Sequence, residues 1–78
     1  MIDETRQTLE DIAAKLMAEQ ESTGRAIEAS RAEDANTDYL RGTFNGLERA
    51  LRYTEQLRGL TGMWLKESDG WVRQIHEA

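Results

Sequence analysis

Apolar residues recur at helical intervals along this 78-residue chain, most cleanly in its middle. Leu40, Phe44, Leu47, Leu51 and Thr54 follow one another at spacings of four, three, four and three. Arg41, Asn45, Glu48, Arg49, Arg52 and Glu55 take the other side. This period predicts an amphipathic helix over about residues 38–58. Thr37 or Asp38 can cap its first amides, and Glu48 and Arg52 form an i,i+4 pair on its surface.

A first helix is predicted over about residues 3–33, with Asp3 and Glu4 at its positive end. Ile2, Leu9, Ala13, Leu16, Gln20 and Ile27 share one side of it, but the stripe thins after Leu16. Beyond Leu57 the pattern changes. Tyr53, Leu57, Leu60, Trp64, Trp71 and Ile75 form a second stripe, rotated from the first if the helix is continuous. Gly59 and Gly62 weaken a helix there, and Ser68, Asp69 and Gly70 suit a turn or cap. Strand signals are weak, with no marked period-2 run. The expected fold is therefore all-α: one domain spanning residues 1–78, an antiparallel helical hairpin with a short C-terminal helical segment over about 60–77.

Length and composition sharpen this picture. A core of this size is marginal unless disulfides, a metal or oligomerisation supports it. The chain has no cysteine and no proline, so a homo-oligomer is the expected support. Its 15 acids against 10 bases give a net charge of −5, which opposes nucleic acid or an anionic membrane surface as a partner. The imbalance sits in residues 1–38, with 10 acids and 4 bases; residues 39–78 carry 5 and 6. No apolar run is long enough to span a membrane, and the acidic start lacks the features of an export signal. A cytoplasmic location is expected.

The candidate chemistry is sparse. His76 has no second histidine or cysteine to work with, the serines lack a nucleophile context, and the glycines form no phosphate-binding loop. No Glu-x-x-His pair points to a carboxylate metal site. No enzyme, cofactor or metal is therefore expected. Gly42 and Gly46, each unfavourable in a helix by about 1 kcal/mol relative to alanine, are read as a notch beside the Leu40, Phe44, Leu47 and Leu51 face where another backbone packs closely. Asp3, Glu10, Glu21 and Glu28 align on one helix side, either as a solvated face or as a strip that docks on a basic protein. Trp64 and Trp71 either close the end of the bundle or anchor a partner.

Tyr39, Leu40, Arg41, Gly42, Asn45, Gly46, Leu47, Glu48 and Ala50 spell Tyr-Leu-Arg-Gly-x-x-Asn-Gly-Leu-Glu-x-Ala. This stretch, about a sixth of the chain, resembles an element of small uncharacterised helical proteins of tailed phages and prophages; the segment after Leu51 departs from their pattern. The resemblance implies a phage origin and a small inhibitor or regulator of a host process, of the anti-defence or anti-CRISPR kind. The expected function is non-enzymatic binding of a host protein. The alternatives are a self-assembling structural or adaptor protein, and a helical oligomer that holds a small anionic ligand through Arg41, Arg49 and Arg52.

Overall fold

The computed structural model describes residues 3–68 and 70–78; Ile2 and Asp69, placed above on the first helix and in a turn, lie outside the described residues. Helix α1 spans Asp3–Ala32 and helix α2 spans Asp38–Leu57. Ala13, Gln20 and Ile27 are the buried residues of α1, seven apart, so one seam of the long helix faces its partner. The helices run antiparallel: Glu10 lies beside Arg58, and Gln20 beside Phe44 and Glu48. Leu51 is the fully buried apolar residue of α2, with Leu40, Phe44 and Leu47 half-buried on the same face.

The turn between the helices explains where each stops. Asp34 takes a left-handed conformation, φ 58°. The Ala35 amide then donates to the Ser30 carbonyl at 2.8 Å and the Asp34 amide to Arg31 at 3.0 Å. This pattern satisfies the last carbonyls of α1. At the start of α2 the cap differs from the expected one: Thr37 makes no side-chain cap bond, and Asn36 Oδ1 accepts the Asp38 amide at 2.8 Å. Asp38 instead pairs with Arg41 at 2.6 Å.

The expected C-terminal helix is not present, and the fold is mixed α and β rather than all-α. Strand β1 (Leu60–Glu67) and strand β2 (Gly70–Glu77) form an antiparallel two-stranded sheet. Glu67 pairs with Gly70 across a two-residue connection. Gly59 at φ 72° and Gly70 at φ 138° supply backbone conformations that other residues resist. The helical spacing of Leu60, Trp64, Trp71 and Ile75 misleads because the hairpin covers the helices with alternate residues. Leu60, Gly62, Trp64 and Lys66 of β1 stand with Glu77, Ile75, Arg73 and Trp71 of β2 on the inner face. Gly62 and Arg73 interrupt the apolar alternation that marks an ordinary half-buried strand.

Candidate protein-interaction site

The hairpin turns its charged side inward. The Arg73 side chain is 0% exposed and that of Glu55, from α2, is 1% exposed. Arg73 donates from Nε and Nη2 to the two Glu55 carboxylate oxygens, both at 2.7 Å. Its Nη1 donates to Glu48 Oε1 at 2.8 Å. Glu48 also accepts from Arg52 at 2.7 Å and from Gln20 at 3.0 Å. Gln20 completes the chain of bonds by accepting the Trp64 indole N–H at 2.8 Å. Such a fork-to-fork pair is among the stronger hydrogen-bonded contacts a protein makes.

The room for this network comes from Gly62. A Cβ there would stand 2.6 Å from Glu55 Oε2 and 2.9 Å from Arg73 Nε. Trp64 covers the network from the side, with the Arg73 guanidinium 5.5 Å from its ring centroid. Burial pushes the Glu48 carboxyl up, but hydrogen bonds from Arg73, Arg52 and Gln20 and the Arg73 charge outweigh it and hold Glu48 below the usual carboxylate range. Burial likewise disfavours the Arg73 charge, and the bonds to Glu55 and Glu48 more than restore it. No buried side-chain nitrogen or oxygen among the described residues lacks a partner. The cluster is thus committed to its own members, and its chemistry is that of a clasp between the hairpin and the helices.

The outer face of the hairpin has the opposite character. Thr61, Met63, Leu65 and Glu67 stand opposite His76, Gln74, Val72 and Gly70. Met63, Leu65 and Val72 are 38–50% exposed, and they adjoin one another at the centre of this face. Ionisable residues occur there only at the ends, as Glu67 and His76. Among the described residues, each strand also has one edge with no strand beside it.

The other candidate residues scatter. Trp64 is half-buried against Gln20, whereas Trp71 is exposed, accepts Lys66 over its ring at 5.4 Å and donates to Glu28 at 3.2 Å. Of the acidic strip, Glu10 lies 3.7 Å from Arg58 and Glu28 3.8 Å from Lys66. Asp3 is exposed and Glu21 half-buried. Two members of the strip therefore tether other parts of the chain. Gly42 and Gly46 do not form a notch against α1: a Cβ at either meets nothing within 4 Å. The glycine that packs is Gly24 of α1, whose Cβ would touch the Phe44 ring at 3.6 Å.

A groove of about 760 Å³ opens between the helices and the hairpin tip, walled by Phe44, Trp64 and Trp71. Arg41 lines it, but Arg49 and Arg52 do not, so the three arginines read above as an anion site are not brought together. Arg25, Arg31, Arg41 and Lys66 around the groove are nearly balanced by Glu21, Glu28 and Glu67. Among the described residues no group of His, Cys, Asp or Glu could hold a metal ion, and no helix is long and apolar enough to cross a membrane. No family model, curated protein or solved structure matches the chain.

Sequence inspection missed Glu55 and Arg73. Their local setting gives no signal, since the partners lie 18 residues apart and on different elements. The signal that was available is the short Ser68–Gly70 turn between two runs of equal length, each rich in Trp, Leu, Val or Ile.

Proposed function

We propose that the chain is a non-enzymatic protein-binding module, of the small inhibitor or regulator kind implied by its resemblance to phage proteins, and that it meets its protein partner with the outer face of the β-hairpin. The observation that carries this reading is the uncovered apolar centre formed by Met63, Leu65 and Val72. An isolated two-stranded hairpin is marginal in water, and exposed apolar surface beside open strand edges suits partners that add a strand or cover a face. The inner face is already occupied with holding the hairpin to the helices, so the outer face is the part of the hairpin left for recognition.

The test is paired affinity capture with the unaltered chain and a Leu65→Thr, Val72→Thr variant. Threonine keeps strand propensity while removing apolar surface. One stoichiometric protein retained by the first and lost by the second supports the reading. Equal capture by both would move the contact elsewhere, for instance to Asp3, Glu10, Glu21 and Glu28. Capture of no stoichiometric protein would favour the self-assembling alternative.

A further inference from the structure

The inner face of the hairpin carries one arrangement twice, once closed and once open. Trp64 stands opposite Arg73 across the strands, and Trp71 stands opposite Lys66. In each pair the cation lies over the indole ring, 5.5 Å and 5.4 Å from its centroid. In each, the indole N–H donates to a side chain of α1, Gln20 for Trp64 and Glu28 for Trp71. The pairs differ in what α2 brings to the cation. Glu48 and Glu55 of α2 accept from all three side-chain nitrogens of Arg73, which is 0% exposed. Beside the second pair α2 brings Arg41, Phe44 and Asn45, and no carboxylate of α2 lines the groove there. Lys66 Nζ is 3.8 Å from Glu28, beyond hydrogen-bond reach, and its side chain is 65% exposed.

We propose that the groove beside Trp71 and Lys66 binds a small carboxylate that carries an aromatic ring. The ligand's carboxylate meets Lys66 and Arg41 as Glu48 meets Arg73, and its ring lies against the aromatic walls. The closed pair thus names the ligand chemistry: the same cross-strand tryptophan and cation, one step nearer the helix ends, hold carboxylates that the chain itself supplies.

Size, walls and charge agree with this occupant. The groove of about 760 Å³ falls within the range of about 300–1,000 Å³ common for small-molecule sites. Ile27, Phe44, Trp64 and Trp71 give it apolar walls, against which a ring packs offset or edge-on. Its lining holds four cations to three acids, in a chain whose net charge is −5. One of those acids, Glu28, is already engaged by Trp71 and Lys66. Arg41 gives Nη2 to Asp38, and the rest of its fork of donors suits a carboxylate. The site uses neither Arg49 nor Arg52, which lie outside the groove.

The experiment follows the two indole N–H signals of the whole chain by NMR during titration with 2-naphthoate and, separately, with its neutral amide, 2-naphthamide. The expected result is a saturable shift of the Trp71 signal, with the amide bound at least about tenfold more weakly, as loss of a charge-assisted hydrogen bond entails. Lys66→Gln and Arg41→Gln should each weaken 2-naphthoate binding several-fold, whereas Lys66→Arg and Arg49→Gln should retain it. The Lys66 and Arg41 side chains are more than half exposed, so circular dichroism of these variants should match that of the unaltered chain. Absence of a saturable shift, equal affinity for acid and amide, or unchanged affinity in both glutamine variants would overturn the proposal. The Leu65→Thr, Val72→Thr variant should bind 2-naphthoate like the unaltered chain. Loss of binding in that variant would move the ligand to the outer face of the hairpin and overturn the proposal, independently of whether a protein partner binds.

Discussion

The two faces of the β-hairpin invert the usual arrangement of a half-covered sheet. An antiparallel sheet with one solvated side ordinarily keeps its apolar residues inward and its polar ones outward. Here the inner face presents Arg73 to Glu55 and Glu48, with no room for a side chain at position 62. The outer face shows Met63, Leu65 and Val72. The inner face is held by directional bonds that fix one register and one distance from α2. The outer face leaves its apolar centre 38–50% exposed, and it is the face we propose for recognition. The difference teaches that, in a chain too short for a large apolar core, a buried ion pair can set the position of an element while apolar surface remains outside.

The strongest way to break this contrast is to remove the inner cation. Arg73→Ala leaves Glu55 buried without its partner, and breaking a buried pair in this way costs roughly 3–5 kcal/mol. Urea unfolding at neutral pH should show that loss, large enough to unfold much of the population. Replacing the pair together, as Arg73→Met with Glu55→Leu, should recover most of the stability. A double variant as unstable as Arg73→Ala would show that the bonds, and not the unpaired carboxylate, carry the effect.

Gly62→Ala should come next. The added methyl must displace Glu55 or Arg73, and overpacking of this kind typically costs about 1–3 kcal/mol. Thermal melting should report it. An unchanged melting temperature would mean that the clasp tolerates a shift of the strand.

Acid should produce a smaller, graded loss. The carboxyl of Glu48 is held below its ordinary range in the folded chain. A depressed folded pKa stabilises at pH values above the unfolded one, about 4.3 for glutamate. That contribution is complete at neutral pH and is lost as pH falls through the folded value. The Glu48→Gln variant should lose part of this dependence in an acid titration followed by circular dichroism.

The smallest effect is expected on the outer face. Leu65→Thr with Val72→Thr should change the stability of the monomer by about 0.5 kcal/mol or less, as surface substitutions generally do. A large loss at low protein concentration would show that the outer face is covered within the chain and would dissolve the contrast.

The helices were more legible than the hairpin for the same physical reason. The inward face of α2 announces itself through Leu40, Phe44, Leu47 and Leu51, because a helix buries residues that are close in sequence. The Glu48–Arg52 pair was readable on the same basis, and it is present at 2.7 Å. Gly62 and Arg73 make sense only beside Glu55, which another element supplies, so no local pattern could mark them. The spacing of Gly42 and Gly46 suggests packing against a neighbouring helix, yet within the chain the close approach belongs to Gly24 and Phe44. The candidate site was legible only in part: Trp71 is exposed as an anchor would be, whereas Met63, Leu65 and Val72 gain their meaning from a strand register that helical spacing concealed.

The Arg73 clasp also bears on the order of events in folding. The bonds from Arg73 to Glu48 and Glu55 need α2 formed and the β-hairpin formed and docked on it, so they close after those elements are in place. Until then both carboxylates remain hydrated on the surface of α2. A perturbation of Arg73 should therefore leave the folding rate nearly unchanged and speed unfolding, the behaviour of a residue whose contacts are absent from the transition state. In a plot of rate against urea, the unfolding limb should rise while the folding limb stays in place. The hairpin would then act as a latch that governs how long the native state persists rather than how quickly it is reached.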